Sequence, residues 1–193
     1  MDLLIVARHA ESTYNLEGRV SADPHAEGEL TVQGKAQARR LGKAVAQESI
    51  GLCVTSGIHR ARATAELALG NSAVPRIVMD EFNDPLAGSF EGASVEAFNA
   101  WLNAHPAEEA PPGGESQVEA CIRSQAGFMA LLDRPESVIL LVSHRLSIGW
   151  LLAALSEDGV FPTLDYAVPI HLHSAEVAQA ATKMTSLNHV VSY

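Results

Sequence analysis

Three short stretches of the chain are almost continuously apolar: Leu3 to Ala7, Gly51 to Thr55 and Ser137 to Ser143. Runs of this length, rich in branched side chains, fit strands buried on both faces, as in a parallel sheet covered by helices. Arg76 to Asp80 is a weaker strand candidate. Ala175 to Ala181 and Thr185 to Val191 read as candidate edge strands that could close a final hairpin. Between the runs the spacing turns helical. Thr31 is a good N-cap for a helix through Glu48, with Val32, Ala36, Leu41 and Val45 at near-helical spacing. Further helices are expected from about Arg60 to Leu69, from Ser94 to His105 and from about Leu146 to Leu155. A long one spans Ser116 to Leu132, with Val118, Cys121, Ile122, Phe128, Leu131 and Leu132 on a shared face.

Alternating strands and helices predict an α/β three-layer sandwich with a mainly parallel sheet flanked by helices. Pro111-Pro112-Gly113-Gly114 reads as a loop rather than a linker, because too little chain lies on either side for two cores. At 193 residues the chain is expected to form one domain. With 47% hydrophobic and 19% charged residues it is too apolar to be disordered.

Charge narrows the function classes. A formal net charge of −10 argues against nucleic-acid binding, which needs a basic footprint. It still permits a small anionic ligand, since a few arginines can make a local positive pocket. Cys53 and Cys121 lie far apart and read as buried thiols, and no metal-ligand spacing occurs, so neither metal nor cofactor is expected. The N-terminus lacks a basic region and a small-residue cleavage site, and no apolar run reaches the roughly 20 residues of a membrane span. A cytoplasmic protein without a membrane partner is therefore expected. The oligomeric state is left open, a homodimer included.

The chemistry concentrates at strand ends. In open α/β sheets ligands sit beyond the carboxyl ends of the strands. Arg8-His9 directly follows the first apolar run, His144 follows Ser143, and Ser56 follows the Gly51–Thr55 run with Arg60 shortly after. Arginines present donor forks suited to phosphate oxygens. A neutral histidine can attack phosphorus and split transfer into two steps, while positioning and electrostatics supply most of the acceleration. An acid on a nearby loop must then protonate the leaving oxygen.

The segment Leu4 to Asn15 (LIVARHAESTYN) is similar to the L-x-R-H-G-E-T-x-x-N signature of the histidine phosphatase, or phosphoglycerate mutase-like, superfamily. Leu30 to Ala38 resembles that family's L-T-x-x-G-x-x-Q-A helix start, and Ser56 to Ala65 its S-x-x-x-R-A-x-x-T-A stretch. Phe82 to Gly92, Gly113 to Ser116 and Val142 to His144 resemble three further motifs, in order. The resemblance implies a single domain over residues 1–193 with a small cap at about 84–114, and a small phosphorylated substrate. It implies His9 as nucleophile, Arg8, Arg60 and His144 as the phosphate pocket, and Asn15 as a phosphate or substrate ligand. Asp84 falls where the family carries its proton donor, usually Glu.

Departures from the family pattern qualify these roles. Asp84 is shorter than Glu by a methylene and, before Pro85, is also an ordinary turn residue; Asp80 and Glu81 are rivals. Arg145 stands where glycine is usual, either adding a cation to the site or capping a surface. Ser21 lies near the place where mutases tend to carry glutamine. His59 and Arg62 flank Arg60 and compete with it for the site, and His171 or His173 could approach the pocket. The expected activity is hydrolysis of a small phosphomonoester through a phosphohistidine on His9. A phosphoglycerate-type mutase and an inactive member that binds phosphorylated ligands are the alternatives.

Overall fold

The computed structural model describes residues 1–26 and 28–186. Four strands, β1 (Leu3–Arg8), β2 (Leu52–Thr55), β3 (Arg76–Val78) and β4 (Val138–Ser143), run parallel. A fifth, β5 (Pro169–His173), lies antiparallel on β1, giving the order β3-β2-β4-β1-β5. The register aligns the carboxyl ends of the central strands: Arg8 pairs with Ser143, and Thr55 with Val142.

Alternation along each strand decides which layer a side chain joins. Leu4, Val6, Leu52, Val54, Ile139 and Leu141 face one side, and Ile5, Ala7, Cys53, Leu140 and Val142 the other. The first set packs on α5 (Gln117–Leu132), α6 (Arg145–Ala153) and α7 (Ser174–Lys183). The second packs on α2 (Val32–Ala44) and α3 (His59–Leu69). With both faces covered, these strands have to be apolar throughout, which is the pattern the sequence carries. Two further α-helices are α1 (Thr13–Leu16), which follows β1, and α4 (Val95–Ala104), the helix of the 84–114 segment. Phe98 and Leu102 of α4 bury with Ala87, Val20 and Ala22 in a small core of their own, which seats this segment on the loop near residue 20.

The expected caps form. Thr31 Oγ1 accepts the Gly34 N–H at 2.9 Å, and Ser94 Oγ accepts that of Ala97 at 3.1 Å. Ser116 and Glu119 close a reciprocal capping box. Gly34 has a packing reason: a Cβ there would collide with the carbonyl oxygen of Glu11, so glycine lets α2 close on the loop after β1.

Several sequence expectations need correction. Ala175 to Ala181 is helical within α7, because alanine favours helix and Glu176 caps the start by accepting the His173 N–H at 2.8 Å. The edge strand is instead β5, whose opening Pro169 is tolerated at a sheet edge. Of the second expected strand, Thr185 and Ser186 lie in a 3₁₀ turn, and residues 187–191 fall outside the described residues. In α2, Val32 is exposed, and the buried positions are Gly34, Gln37, Ala38 and Leu41. In α5, Ile122 is half exposed, and Ala120, Ser124 and Gly127 take the inner face with Cys121, Phe128 and Leu131. Among the described residues no helix is long and apolar enough to cross a membrane.

Candidate active site

Three strand ends deliver three side chains to one spot. His9 leaves β1, Ser56 leaves β2 and His144 leaves β4 as the N-cap of α6. The backbone fixes the spacing, since the His9 N–H donates to the Ser143 carbonyl at 2.8 Å. The two imidazole rings lie 5.1 Å apart.

His9 is held in one tautomer. Its Nδ1–H donates to the Ala10 carbonyl at 2.8 Å, which leaves Nε2 with the lone pair, and Nε2 accepts from Arg60 Nε at 3.0 Å. Burial lowers the His9 pKa well below the ordinary histidine value, and Arg60, His144 and Arg8 push in the same direction. The ring therefore stays neutral, as a nucleophile requires.

Arg60 organises the rest. It sits in the first turn of α3, almost fully buried, and its carbonyl accepts the Thr64 hydroxyl at 2.7 Å. Thr64 Oγ1 in turn accepts the Ala10 N–H at 2.9 Å, tying α3 to the β1 loop. Arg60 Nη1 donates to the Ser21 carbonyl at 2.6 Å, and Nη2 donates to Asp84 Oδ2 at 2.6 Å. His144 Nδ1 lies 3.1 Å from the same carboxylate oxygen, and its Nε2 is 2.7 Å from Ser56 Oγ. Burial lowers the His144 pKa, with Asp84 opposing. A neutral His144 then donates from Nδ1 to Asp84 and accepts the Ser56 hydroxyl at Nε2. Burial alone would raise the Asp84 pKa, but His144, Arg60 and Arg8 outweigh it and bring the carboxyl down to about 2. The other oxygen, Asp84 Oδ1, is buried without a hydrogen-bond partner.

The loop bearing Asp84 is fastened by residues the sequence did not single out. Arg123 of α5 donates through Nη1 to the carbonyls of Asp80, Glu81 and Asn83 and pairs with Glu115 through Nε and Nη2 at 2.8 and 2.6 Å. Ser143 Oγ donates to the Phe82 carbonyl at 2.9 Å. Arg123 lies 43 residues from Asp80 in sequence, and no local pattern announces that contact.

Arg8 lies across Tyr166, its guanidinium carbon 4.0 Å from the ring centre, and donates to the Leu164 carbonyl at 3.0 Å. Arg8 Nε is buried and has no partner in the protein. Burial lowers the Arg8 pKa, with Tyr166 and Asp84 opposing. Ala167, next to Tyr166, holds a positive φ of 56° while its N–H donates to the Arg8 carbonyl.

These groups line a cavity of about 240 Å³ whose walls include Arg8, His9, Asn15, Arg60, Asp84, Arg145 and Tyr166. The Asn15 oxygen accepts from Ser12 N and Oγ, which leaves the amide nitrogen as its unused donor. His144 is fully buried behind the wall, so it reaches the cavity through Asp84 and Arg60 rather than by lining it. Of the rivals, Asp80 is exposed and lines a separate open groove, and Glu81 lines neither space. His59 and Arg62 point outward, and His171 pairs with Glu48 on the surface. His173 caps α7, and His189 lies outside the described residues. Among the described residues no group of three or more His, Cys, Asp or Glu could hold a metal ion.

The model of the histidine phosphatase superfamily, branch 1, matches residues 4–188. The chain belongs to this superfamily. A histidine phosphatase similar to it is the adenosylcobalamin/α-ribazole phosphatase of Escherichia coli, 29% identical over 79% of this chain and 78% of that protein. A probable phosphatase of Schizosaccharomyces pombe is 28% identical over 86% of this chain, which spans 60% of that longer protein. The solved α-ribazole phosphatase of Shigella flexneri superposes with a TM-score of 0.76 at 27% identity, covering 88% of this chain and 89% of the other. Other relatives of the chain are named a probable phosphoglycerate mutase and a 2,3-bisphosphoglycerate-dependent phosphoglycerate mutase.

Proposed function

We propose that this member of the histidine phosphatase superfamily hydrolyses a small phosphomonoester through a phosphohistidine on His9. The observation that carries the reading is the tautomer of His9. The Ala10 carbonyl accepts a hydrogen bond from Nδ1–H, so the lone pair lies on Nε2, where it accepts from Arg60 Nε in a cavity that Arg8 also lines. A phosphoryl oxygen would satisfy the buried Arg8 Nε, and the Asn15 amide offers a further donor.

Nε2 attacks phosphorus, and a P–N bond forms as the P–O bond to the alcohol breaks. Asp84 delivers the proton to the departing oxygen. It then takes a proton from water, whose oxygen attacks the phosphohistidine and releases inorganic phosphate. Its neighbours His144, Arg60 and Arg8 hold Asp84 as a carboxylate. A bound phosphoryl group adds negative charge beside it and competes for Arg60, and both effects raise its pKa. The carboxyl then holds a proton, taken from solvent or carried in on the substrate monoanion, until it passes to the leaving oxygen.

The test is a panel of phosphomonoesters in chelator-treated buffer, with α-ribazole 5′-phosphate included because of the relatives' names. Wild-type protein should release phosphate, and His9→Ala should not. An acid-labile phosphoryl-enzyme should appear on rapid quench. Isomerisation of 3-phosphoglycerate faster than its hydrolysis would replace this reading with a mutase. Binding without turnover across the panel would replace it with a phospholigand-binding protein.

A further inference from the structure

Arg8 and Arg60 both serve the His9 site, and the protein fixes them by different means. Arg60 is held by hydrogen bonds on all three guanidinium nitrogens: Nε to His9, Nη1 to the Ser21 carbonyl and Nη2 to Asp84. Bonds at three corners set both the place and the plane of its fork. The fork of Arg8 has one backbone anchor, from Nη1 to the Leu164 carbonyl at 3.0 Å, and its buried Nε has no partner in the protein. One such bond leaves a planar group free to swing about the N–H···O line. The Tyr166 ring removes that freedom. The Arg8 guanidinium carbon lies over the ring, 4.0 Å from its centre, a distance at which cation and ring attract.

The ring is itself fixed by its chain neighbours. Leu164, two residues before it, supplies the carbonyl that anchors Arg8. Ala167, the next residue, turns at a φ of 56°, donates its N–H to the Arg8 carbonyl and is buried with Ile5 and Ala7. A left-handed backbone at a residue other than glycine is costly and persists where the surroundings hold it. Pro169 then pairs with Ala7 at the start of β5. The segment 164–167 thus meets Arg8 at its fork, its face and its own carbonyl. Tyr166 also borders the cavity, and its ring stands 5.9 Å from that of His9.

We infer that Tyr166 is a positioning residue, whose ring face sets the plane of the Arg8 fork so that the unpaired Nε–H meets a phosphoryl oxygen beside His9. The inference rests on the phosphatase reading for the identity of the anion. Contact between a guanidinium and phosphate oxygens depends on the plane of the fork as well as on its charge. Without the ring face the charge would remain and the fork would loosen. The Tyr166 hydroxyl supports the Arg8 charge too, so the test has to separate ring from hydroxyl.

Tyr166→Leu keeps an apolar side chain and removes the ring face. Its kcat/KM for p-nitrophenyl phosphate should fall about tenfold, the scale of a cation–ring contact in a partly desolvated site. Its calorimetric affinity for orthovanadate should fall alongside. Tyr166→Phe restores the face without the hydroxyl and should recover all but about two- to threefold of both losses. Arg8→Lys replaces the fork with a point charge that has no plane to set. In that background Tyr166→Leu should cost no more than about twofold further, a non-additivity that a loosened loop would not produce. Thermal melts confirm that each variant folds, and Tyr166→Met takes the place of Tyr166→Leu if the latter does not. A loss in Tyr166→Phe as large as in Tyr166→Leu overturns the assignment in favour of the hydroxyl. An undiminished loss in the Arg8→Lys background overturns it in favour of a structural loop. Unchanged kinetics and affinity in Tyr166→Leu, or no orthovanadate binding by wild type, overturns it as well. Ring-dependent orthovanadate binding without hydrolysis of any phosphomonoester upholds it while the phosphatase reading fails. Hydrolysis with no dependence on the ring does the reverse.

Discussion

Arg60 Nη2 lies 2.6 Å from Asp84 Oδ2, and both side chains are more than nine-tenths buried. A buried ion pair of this kind is costly to break from one side, because the remaining charge stays desolvated.

Removing Arg60 should therefore destabilise the fold as well as the site. Arg60→Ala is expected to cost about 3–5 kcal/mol, which for a chain of this size lowers Tm by roughly 6 °C or more. The double variant Arg60→Ala/Asp84→Ala should be more stable than Arg60→Ala alone, since it leaves no orphan carboxylate. Thermal unfolding of wild type, Arg60→Ala, Asp84→Ala and the double variant completes the cycle, and simple additivity would contradict it.

Replacing the acid should leave the nucleophile intact. Asp84→Asn is expected to slow hydrolysis of an alkyl phosphate by about 10²–10⁴-fold. The loss should be much smaller with p-nitrophenyl phosphate, whose leaving group needs no proton. Comparing kcat/KM for the two substrates, which reports phosphoryl transfer to His9 and not the later attack of water, separates an acid from a merely structural carboxylate. An equal loss on both would shift the proton-donor role to another residue.

Acid should weaken the fold in two stages of known sign. His9 and His144 have lowered pKa values, so the folded protein keeps them neutral while the unfolded chain takes up protons below its ordinary histidine value. Stability should thus fall as pH drops below about 6.5, by up to ~1.4 kcal/mol per pH unit for each group. Asp84 acts in a lower window. With its pKa brought from 3.8 to about 2, its contribution is fully present above the unfolded value and disappears as pH falls through the folded one. Urea unfolding at pH 7, 6 and 5 checks the histidine part, where His9→Asn should show a shallower slope than wild type.

Ala167 stores local strain. Its φ of 56° is a backbone conformation that side chains disfavour. Ala167→Gly should relieve more strain than it costs in unfolded-chain freedom, with a net gain of about 0.5–1 kcal/mol. A rise in the urea midpoint at unchanged slope is the expected result.

The sheet core and the helix starts were legible because each follows from a local rule. Strands buried on both faces must be continuously apolar, and Thr31, Ser94 and Ser116 cap because their side chains reach their own backbone. The β5–α7 corner was not legible. An alanine-rich segment around Val177 carries a weak period, and only the Glu176 cap and the packing on α5 and α6 decide it. In the site, spacing brought out His9 and His144 because strand ends fix them. It could not choose Arg60 over Arg62, which depends on which face of α3 turns inward. Tyr166 and Arg123 escaped because their partners lie far along the chain and no motif encloses them.

The His9 N–H bond to the Ser143 carbonyl continues the β1–β4 ladder one step past its carboxyl end, whereas the Asp84 loop is held by side chains of Arg123, Ser143 and Arg60. Central ladders open to hydrogen exchange only with global unfolding, and loops fastened by side chains open earlier. The two halves of the chemistry thus belong to different cooperative units. On gentle heating the molecule would surrender its acid first and keep its nucleophile until the sheet itself gives way.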